Sequence, residues 1–414
     1  MEKVLTTCVY CGVGCGLYLC VDRGRVIGVA PSRAHPVSRG RLCLKGWNAH
    51  QFIHHPQRLV NPLIKRNGAF VEATWDEALD LVARRLIEIK QKHGSDSLGV
   101  LCSAKCTNEE NFVMMKFARA VLGTNNVDHC ARLCHASTLA GLARAFGSGA
   151  MTNSVADISA ADVILVIGSN TTEQHPVIAA DILRAVDNGS KLVIIDPRVI
   201  HLSQFADMHL RLKPGTDVAL INGLMSVIVE EKLHNPGFVA ERTEGFDEMK
   251  AFLKKYTPGY VEQISGVPAD DIRAVARLYA KAEKATIIYC MGITQHTTGT
   301  DNVLALANLA MLCGHVGREG TGVNPLRGHQ NVQGACDVGA LPDFYTGYQR
   351  VVREASRQKF EQAWKTKLPD SIGLTVVEMM DAAVEKKIKA MYLSLIHISE
   401  PTRPLYISYA VFCL

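Results

Sequence analysis

From residue 162 onward the chain alternates short, wholly apolar runs with longer amphipathic ones. DVILVIG, KLVIIDPR and TIIYCMG are short and lack polar alternation, so they predict strands buried on both faces. HPVIAADILRAVDNG, DVALINGLMSVIVEEKL, DDIRAVARLYAKA and NVLALANLAML repeat apolar residues three and four apart and predict helices. Earlier, TWDEALDLVARRLIEIKQKHG predicts a helix with Leu79, Val82, Leu86 and Ile89 on one face. A Thr74–Glu77 capping box opens it and Gly94 stops it. SLGVLCSA predicts a buried strand, NEENFVMMKFARAVLG a helix, and TVVEMMDAAVEKKIKAMYL a helix leading into another strand. Strands alternating with helices imply an α/β protein whose mostly parallel sheets are covered on both faces. The glycine-dense stretch GHVGREGTGVNPLRGHQNVQGACDVG is too irregular for either element and reads as a long functional loop.

Composition changes this picture little. The chain of 414 residues is 48% hydrophobic and 21% charged, with a net charge of +5. Its basic residues are scattered, which gives nucleic-acid binding no footing. No apolar run is long enough to span a membrane. Neither an apolar signal region nor a twin-arginine leader precedes Cys8, which points to the cytoplasm. In a reducing compartment the 13 cysteines read as cluster ligands or buried thiols rather than disulfides. Cys20, Cys102, Cys106, Cys290 and Cys313 sit in apolar or helical contexts and read as core.

The candidate chemistry starts at CVYCGVGCG. Cys8, Cys11 and Cys15, with Cys43 in RLCLKG as fourth ligand, suit the corner irons of a [4Fe–4S] cubane. Zinc is the rival reading, although no second CxxC or His pair follows. Lys45, two residues beyond Cys43, could bridge such a cluster to whatever lies next. In HCARLCHAST, Cys134 and His135 place a soft thiolate beside an imidazole; the plainer reading is a buried Cys beside a satisfied His. IGSNTTEQHP and IIDPRV end strands in small residues, a carboxylate and a guanidinium, suited to phosphate and to a sugar or purine. Neither is GxGxxG, so an ordinary nicotinamide site is unsupported. Arg327, in NPLRGHQNVQG, could be a surface charge or a fork for a small carboxylate.

Together these motifs closely resemble the molybdenum or tungsten bis-pterin oxidoreductases, and within them the formate dehydrogenase catalytic subunits. The resemblance runs from about residue 4 to residue 392. It rests on CxxCGVGC with LCLKG, HCARLCH, GSNTTEQHP, DPR, LKPGTD, MGITQHTTGTDN and GTGVNPLRG with NVQGACD. It implies a [4Fe–4S] cluster on Cys8, Cys11, Cys15 and Cys43, with Lys45 in the electron path to the pterin. Cys134 would be the Mo or W ligand, His135 the proton-handling neighbour and Arg327 the group that orients formate. Gly168, Asn170, Asp196, Arg198, Gly215 and Asp217 would hold one guanine dinucleotide tail of a bis(molybdopterin guanine dinucleotide). Met291 and Gln295 would contact the pterin. His329 would stand beside it where many members carry Gln. Formate and CO2 would be the substrate pair. A ferredoxin-like, hydrogenase-linked or NAD-reducing subunit would be the electron partner. The implied plan is a cluster domain (1–57) followed by two doubly wound, Rossmann-like domains, one from 58–134 plus 331–392 and one from 135–330.

The piece LSLIHISEPTR resembles a sequencing adapter translated in frame, so residues 393–414 read as a non-native tail. A C-terminal cap domain with the second nucleotide-binding turn is then expected to be missing, leaving the chain impaired. The rival functions are a nitrate reductase of the same superfamily, a non-catalytic Fe–S electron-transfer subunit and a zinc-bound scaffold.

Overall fold

The computed structural model describes residues 1–394 and, as backbone, 411–413. The chain opens with an antiparallel sheet of β1 (Glu2–Thr7), β2 (Gly16–Asp22) and β3 (Arg25–Pro31), and the cysteine loop joins β1 to β2. A hairpin of β4 (Leu63–Arg66) and β5 (Ala69–Glu72) leads to the helix Trp75–His93. Next come β6 (Leu98–Leu101) and β7 (Val127–Asp128). A five-stranded sheet follows, built from β8 (Val163–Ile167), β9 (Lys191–Ile195), β10 (Met208–Leu210), β11 (Ala285–Tyr289) and β12 (Gly322–Pro325). The ribbon β13 (Phe344–Tyr345) and β14 (Gln349–Arg350) precedes β15 (Ala390–Leu393) and β16 (Val411–Cys413).

The five-stranded sheet runs β10-β9-β8-β11-β12 and is parallel throughout. Alternation along β8 divides its side chains between two cores. Val163, Leu165 and Ile167 pack with the helices Asp217–Glu230, Ala269–Lys281 and Gly299–Cys313. Ile164 and Val166 face Val177, Ile178 and Ile182 of the helix Pro176–Asp187, in a core shared with Cys8, Cys15 and Leu17. The cluster segment therefore sits on one face of this sheet. A polar clamp fastens it there: Arg41 donates to both oxygens of the fully buried Asp181, at 2.8 and 2.9 Å. The connections change direction between β8 and β11, so a crevice opens beyond the carboxyl ends of those strands.

The second sheet runs β16-β15-β6-β7. It joins strands far apart in sequence, with β15 parallel to β6 and β16 antiparallel to β15. Among the described residues no helix is long and apolar enough to cross a membrane.

Several expectations need correction. The stretch read as a loop without regular structure contains the edge strand β12 and the helix Val332–Asp337. Pro325 is tolerated because β12 pairs on one side only, with β11. Thr74 caps its helix by accepting the Glu77 amide, but Glu77 turns its carboxylate to Arg66 on β4, so no reciprocal box forms. Leu79 on that helix is 58% exposed while Leu86 is buried. Cys20 is half-buried rather than core; Cys102, Cys106, Cys290 and Cys313 are buried. Except for Leu393, Ser394 and the backbone of 411–413, the expected tail lies outside the described residues. Leu393 pairs with Leu101 as the last residue of β15.

Candidate active site

The cysteine loop is closed by Cys8 N–H donating to the Cys15 carbonyl at 2.8 Å. Inside it, Gly14 at φ +62° lets its amide reach back to Cys11 O at 3.1 Å. The Tyr10 and Val13 amides point at the sulfurs of Cys8 and Cys11. Cys43, the residue that opens the short helix Leu44–Trp47, lies close enough for its charge to be felt at Cys8, Cys11 and Cys15. Burial, followed by the charges of Cys11, Cys8 and Cys43, pushes the Cys15 thiol up to about 12. Four thiols thus face one volume in which thiolates repel, and a cationic iron core would relieve that repulsion. Among the described residues no three His, Cys, Asp or Glu side chains close in tightly enough for a single ion.

Cys134 ends a one-turn helix, Ala131–Cys134, and is buried. Thr294 Oγ1 donates to the carbonyl of Cys134, and Gln295 Nε2 to that of Leu133, so the turn after β11 grips this helix. Burial raises the Cys134 thiol to about 12, with Cys130 and Cys290 adding to it and Arg327 and the Gly328 amide opposing. A soft cation at the sulfur would reverse that preference for the neutral thiol. His135 is 1% exposed. Its Nδ1 lies 3.0 Å from Thr138 Oγ1, which in turn lies 3.0 Å from Tyr289 OH. Burial, then the Arg327 charge, lowers the imidazole to about 3, so it stands neutral. Arg327 Nη2 donates to Gly149 O at 2.7 Å. The Arg327 carbonyl takes the Gly12 amide at 3.1 Å and faces His175 Nε2 at 2.7 Å. A side chain at Gly12 would collide with that carbonyl, so the cysteine loop and the arginine loop meet backbone to backbone. His135 and Arg327 line a common cavity of about 90 Å³, together with Cys336, Asp343, Phe344 and Tyr348.

A larger cleft of about 450 Å³ opens at the crevice between β8 and β11. Gly168, Asn170, Asp196, Arg198, Asp217 and Met291 line it. Gly168, at φ +58°, packs directly on Gly292, whose amide donates to Gly168 O at 3.0 Å. Any Cβ at either position would strike the opposing backbone, which keeps the floor of the cleft open. Asp196 is buried and accepts the Arg198 amide at 2.9 Å. Burial raises the Asp217 carboxyl, with His296 opposing. Lys45 Nζ donates to the carbonyl of Glu173, on the rim, at 2.9 Å, placing this lysine between cage and cleft. Gly215 is exposed and adjoins the rim residue Pro214 without lining the cleft. Gln295 and His329 lie elsewhere: Gln295 holds Leu133, and His329 Nδ1 faces Cys130 Sγ at 3.2 Å.

Family comparison decides what this arrangement belongs to. The molybdopterin oxidoreductase family model matches residues 58–399, and the molybdopterin oxidoreductase Fe4S4 domain matches residues 1–55. This chain belongs to the molybdopterin oxidoreductase family. The F420-dependent formate dehydrogenase subunit alpha of Methanocaldococcus jannaschii is 53% identical over 390 residues, which are 94% of this chain and 57% of that protein. Formate dehydrogenase H of Escherichia coli is 45% identical over 401 residues, 95% of this chain and 56% of that one. The chain thus spans little more than half the length of these relatives. Among solved structures, acetylene hydratase from Pelobacter acetylenicus superposes with a TM-score of 0.69 at 28% identity, covering 78% of this chain and 45% of that one.

The two matched models together imply a [4Fe–4S] cluster and a pterin-bound molybdenum or tungsten. The thiol cage, the glycine-floored cleft and the buried Cys134 are donor sets that fit those groups. Sequence reasoning passed over Thr294 and His175, which lie inside motifs quoted above, and Lys105, which lies in no motif. Lys105 Nζ donates to Val9 O at 3.1 Å and to Tyr10 O at 2.6 Å.

Proposed function

We propose that this molybdopterin oxidoreductase is the catalytic part of a formate dehydrogenase, converting formate to CO2, a proton and two electrons, or the reverse. The observation that carries the reading is Arg327 and His135 facing one small cavity beside the buried Cys134. The guanidinium matches the two oxygens of a carboxylate, neutralises its charge and fixes the direction of its C–H bond. His135, held by Thr138, would take the released proton on its imidazole; burial and the Arg327 charge disfavour that protonated form, and the negative charge of bound formate would offset the Arg327 part. Phe344 and Tyr348 add aromatic surface to the same cavity. Cys134 would hold the metal, which when bound would supply the two-electron redox chemistry. The cleft residues Gly168, Asn170, Asp196, Arg198 and Asp217 would hold a nucleotide tail, with Gly215 at its rim. Met291 would reach the pterin, while Gln295 would act through Leu133 and His329 through Cys130.

Cys8, Cys11, Cys15 and Cys43 are the proposed cluster ligands, with Lys45 spanning the gap to the cleft. The names of the relatives favour formate over nitrate, and the retained Cys134, His135 and Arg327 speak against a non-catalytic subunit. The M. jannaschii relative is named F420-dependent. That acceptor class therefore joins the ferredoxin-like, hydrogenase-linked and NAD-reducing partners considered above. We also propose a cytoplasmic location, supported by every described cysteine being a free thiol. The domain divisions near residues 57, 134 and 330 are proposed on sheet membership.

The test is formate-dependent viologen reduction by the anaerobically matured protein carrying this chain, with Arg327→Met alongside. A fall in kcat/KM of about 100-fold or more with metal content unchanged is expected, the order of effect of losing a charged transition-state contact. Nitrate turnover without formate turnover would reject the reading.

A further inference from the structure

We propose that Lys105 positions the cluster loop and sets the cluster's reduction potential. Its ammonium holds the carbonyls of Val9 and Tyr10, the two residues between Cys8 and Cys11. With those carbonyls fixed, the Tyr10 amide is aimed at the Cys8 sulfur. The lysine is itself anchored. Its amide donates to Ser103 Oγ at 3.1 Å and its carbonyl accepts Gln330 Nε2 at 2.8 Å. Asn331 bonds the carbonyls of Ala104 and Cys106 at 3.1 and 2.9 Å. Lys105 is thus a strut from the segment after Arg327 to the cysteine loop, and its positive charge is felt at Cys8, Cys11 and Cys130. Lys45 acts on Cys11 as well, so two cations bracket this thiol.

Reduction adds one electron to the oxidised cubane and makes the cage more negative by one charge. A fixed cation beside the cage stabilises that reduced form and raises the potential. Removing the charge lowers it. The inference rests on the Fe4S4 assignment of residues 1–55 and not on formate as substrate.

The experiment compares the full 414-residue chain with Lys105→Gln and Lys105→Arg, all matured anaerobically. Iron and sulfide are quantified, and the cubane signal is followed by electron paramagnetic resonance in a mediated redox titration. In Lys105→Gln with full iron content, the reduced-to-oxidised ratio at a fixed potential falls about tenfold, a shift of about 59 mV for one electron. Lys105→Arg keeps the ratio within about twofold of the parent. A change under twofold in an iron-replete Gln chain overturns the inference and leaves the cluster intact. If the Gln chain loses its iron, positioning is supported and Lys105→Arg decides the electrostatic half: a ratio more than twofold from the parent overturns it. A parent chain without iron and sulfide rejects the cluster assignment, and the inference with it.

Discussion

In the five-stranded sheet, β8, β11 and all of β9 but Lys191 are buried side chain by side chain, and their partners are helices from the same stretch of sequence. In the four-stranded sheet the strands come from residues 98–101, 127–128, 390–393 and 411–413, and buried polar groups do much of the joining. Arg119, wholly buried, donates to Asn125 Oδ1 and to the carbonyls of Gly339 and Leu341 at 2.6 to 2.8 Å. Asn125 Nδ2 reaches Pro369 O and Ser371 O, Asn126 Oδ1 takes the Leu374 amide, and Asp128 takes that of Val376. Apolar area is indifferent to which apolar partner covers it, whereas these bonds name their partners. A sheet assembled from distant segments gains register from such addressed contacts.

The largest effect expected from breaking this comparison is in the five-stranded sheet. Leu165 is 1% exposed against the helices Asp217–Glu230, Ala269–Lys281 and Gly299–Cys313. Leu165→Ala removes its packing and leaves a cavity, a loss of about 3 kcal/mol. Because the core is continuous, thermal unfolding should fall as a whole, with amide exchange accelerated across β8, β9 and β11 together. Faster exchange confined to β8 would show that this core is not one cooperative unit.

Arg119→Met should cost less and act locally. It strands the carbonyls of Gly339 and Leu341, at about 1–3 kcal/mol for unsatisfied buried groups. Part of this is recovered, because burial of the guanidinium is itself unfavourable and lowers its pKa to about 10. A net loss of about 2 kcal/mol is expected. It should appear as faster exchange at residues 339–345 and 369–376 with the five-stranded sheet unchanged. Equal acceleration in both sheets would remove the distinction drawn between them.

The same contrast explains what could be read from sequence. β8, β9 and β11 were legible because burial on both faces writes an unbroken apolar code. β12 was hidden by Gly322 and Pro325 within four residues, and β1 by the exposure of every one of its positions. The failed capping box at Glu77 has a similar origin, since Arg66 on a neighbouring hairpin outcompetes the local partner. In the site, Cys8, Cys11, Cys15 and Cys43 announce themselves by spacing, and Cys134–His135 by adjacency. Lys105 could not, because its role exists only through carbonyls some 95 residues away. The same holds for His329, whose neighbour Cys130 is distant in sequence.

The smallest expected effect lies at the entry to the helix Val376–Val384, where the chain returns to the four-stranded sheet. Thr375 donates its amide and hydroxyl to Glu378 Oε2, at 2.8 and 2.7 Å, and accepts the Glu378 amide. Those bonds hold the Glu378 carboxyl below its ordinary value, the Thr375 amide contributing most and burial opposing weakly. A depressed folded pKa means stability that is present above the unfolded value of ~4.3 and lost as pH falls through the folded one. The carboxylate is largely solvated, so the gain is under about 1 kcal/mol. Glu378→Gln preserves both directions of the box without the charge. Exchange at residues 376–384 should therefore lose its acid sensitivity below about pH 4 while changing little at neutral pH. If the Gln variant keeps the parent's acid response, the loosening comes from another carboxylate, and this cap is not what ties the returning segment to its sheet.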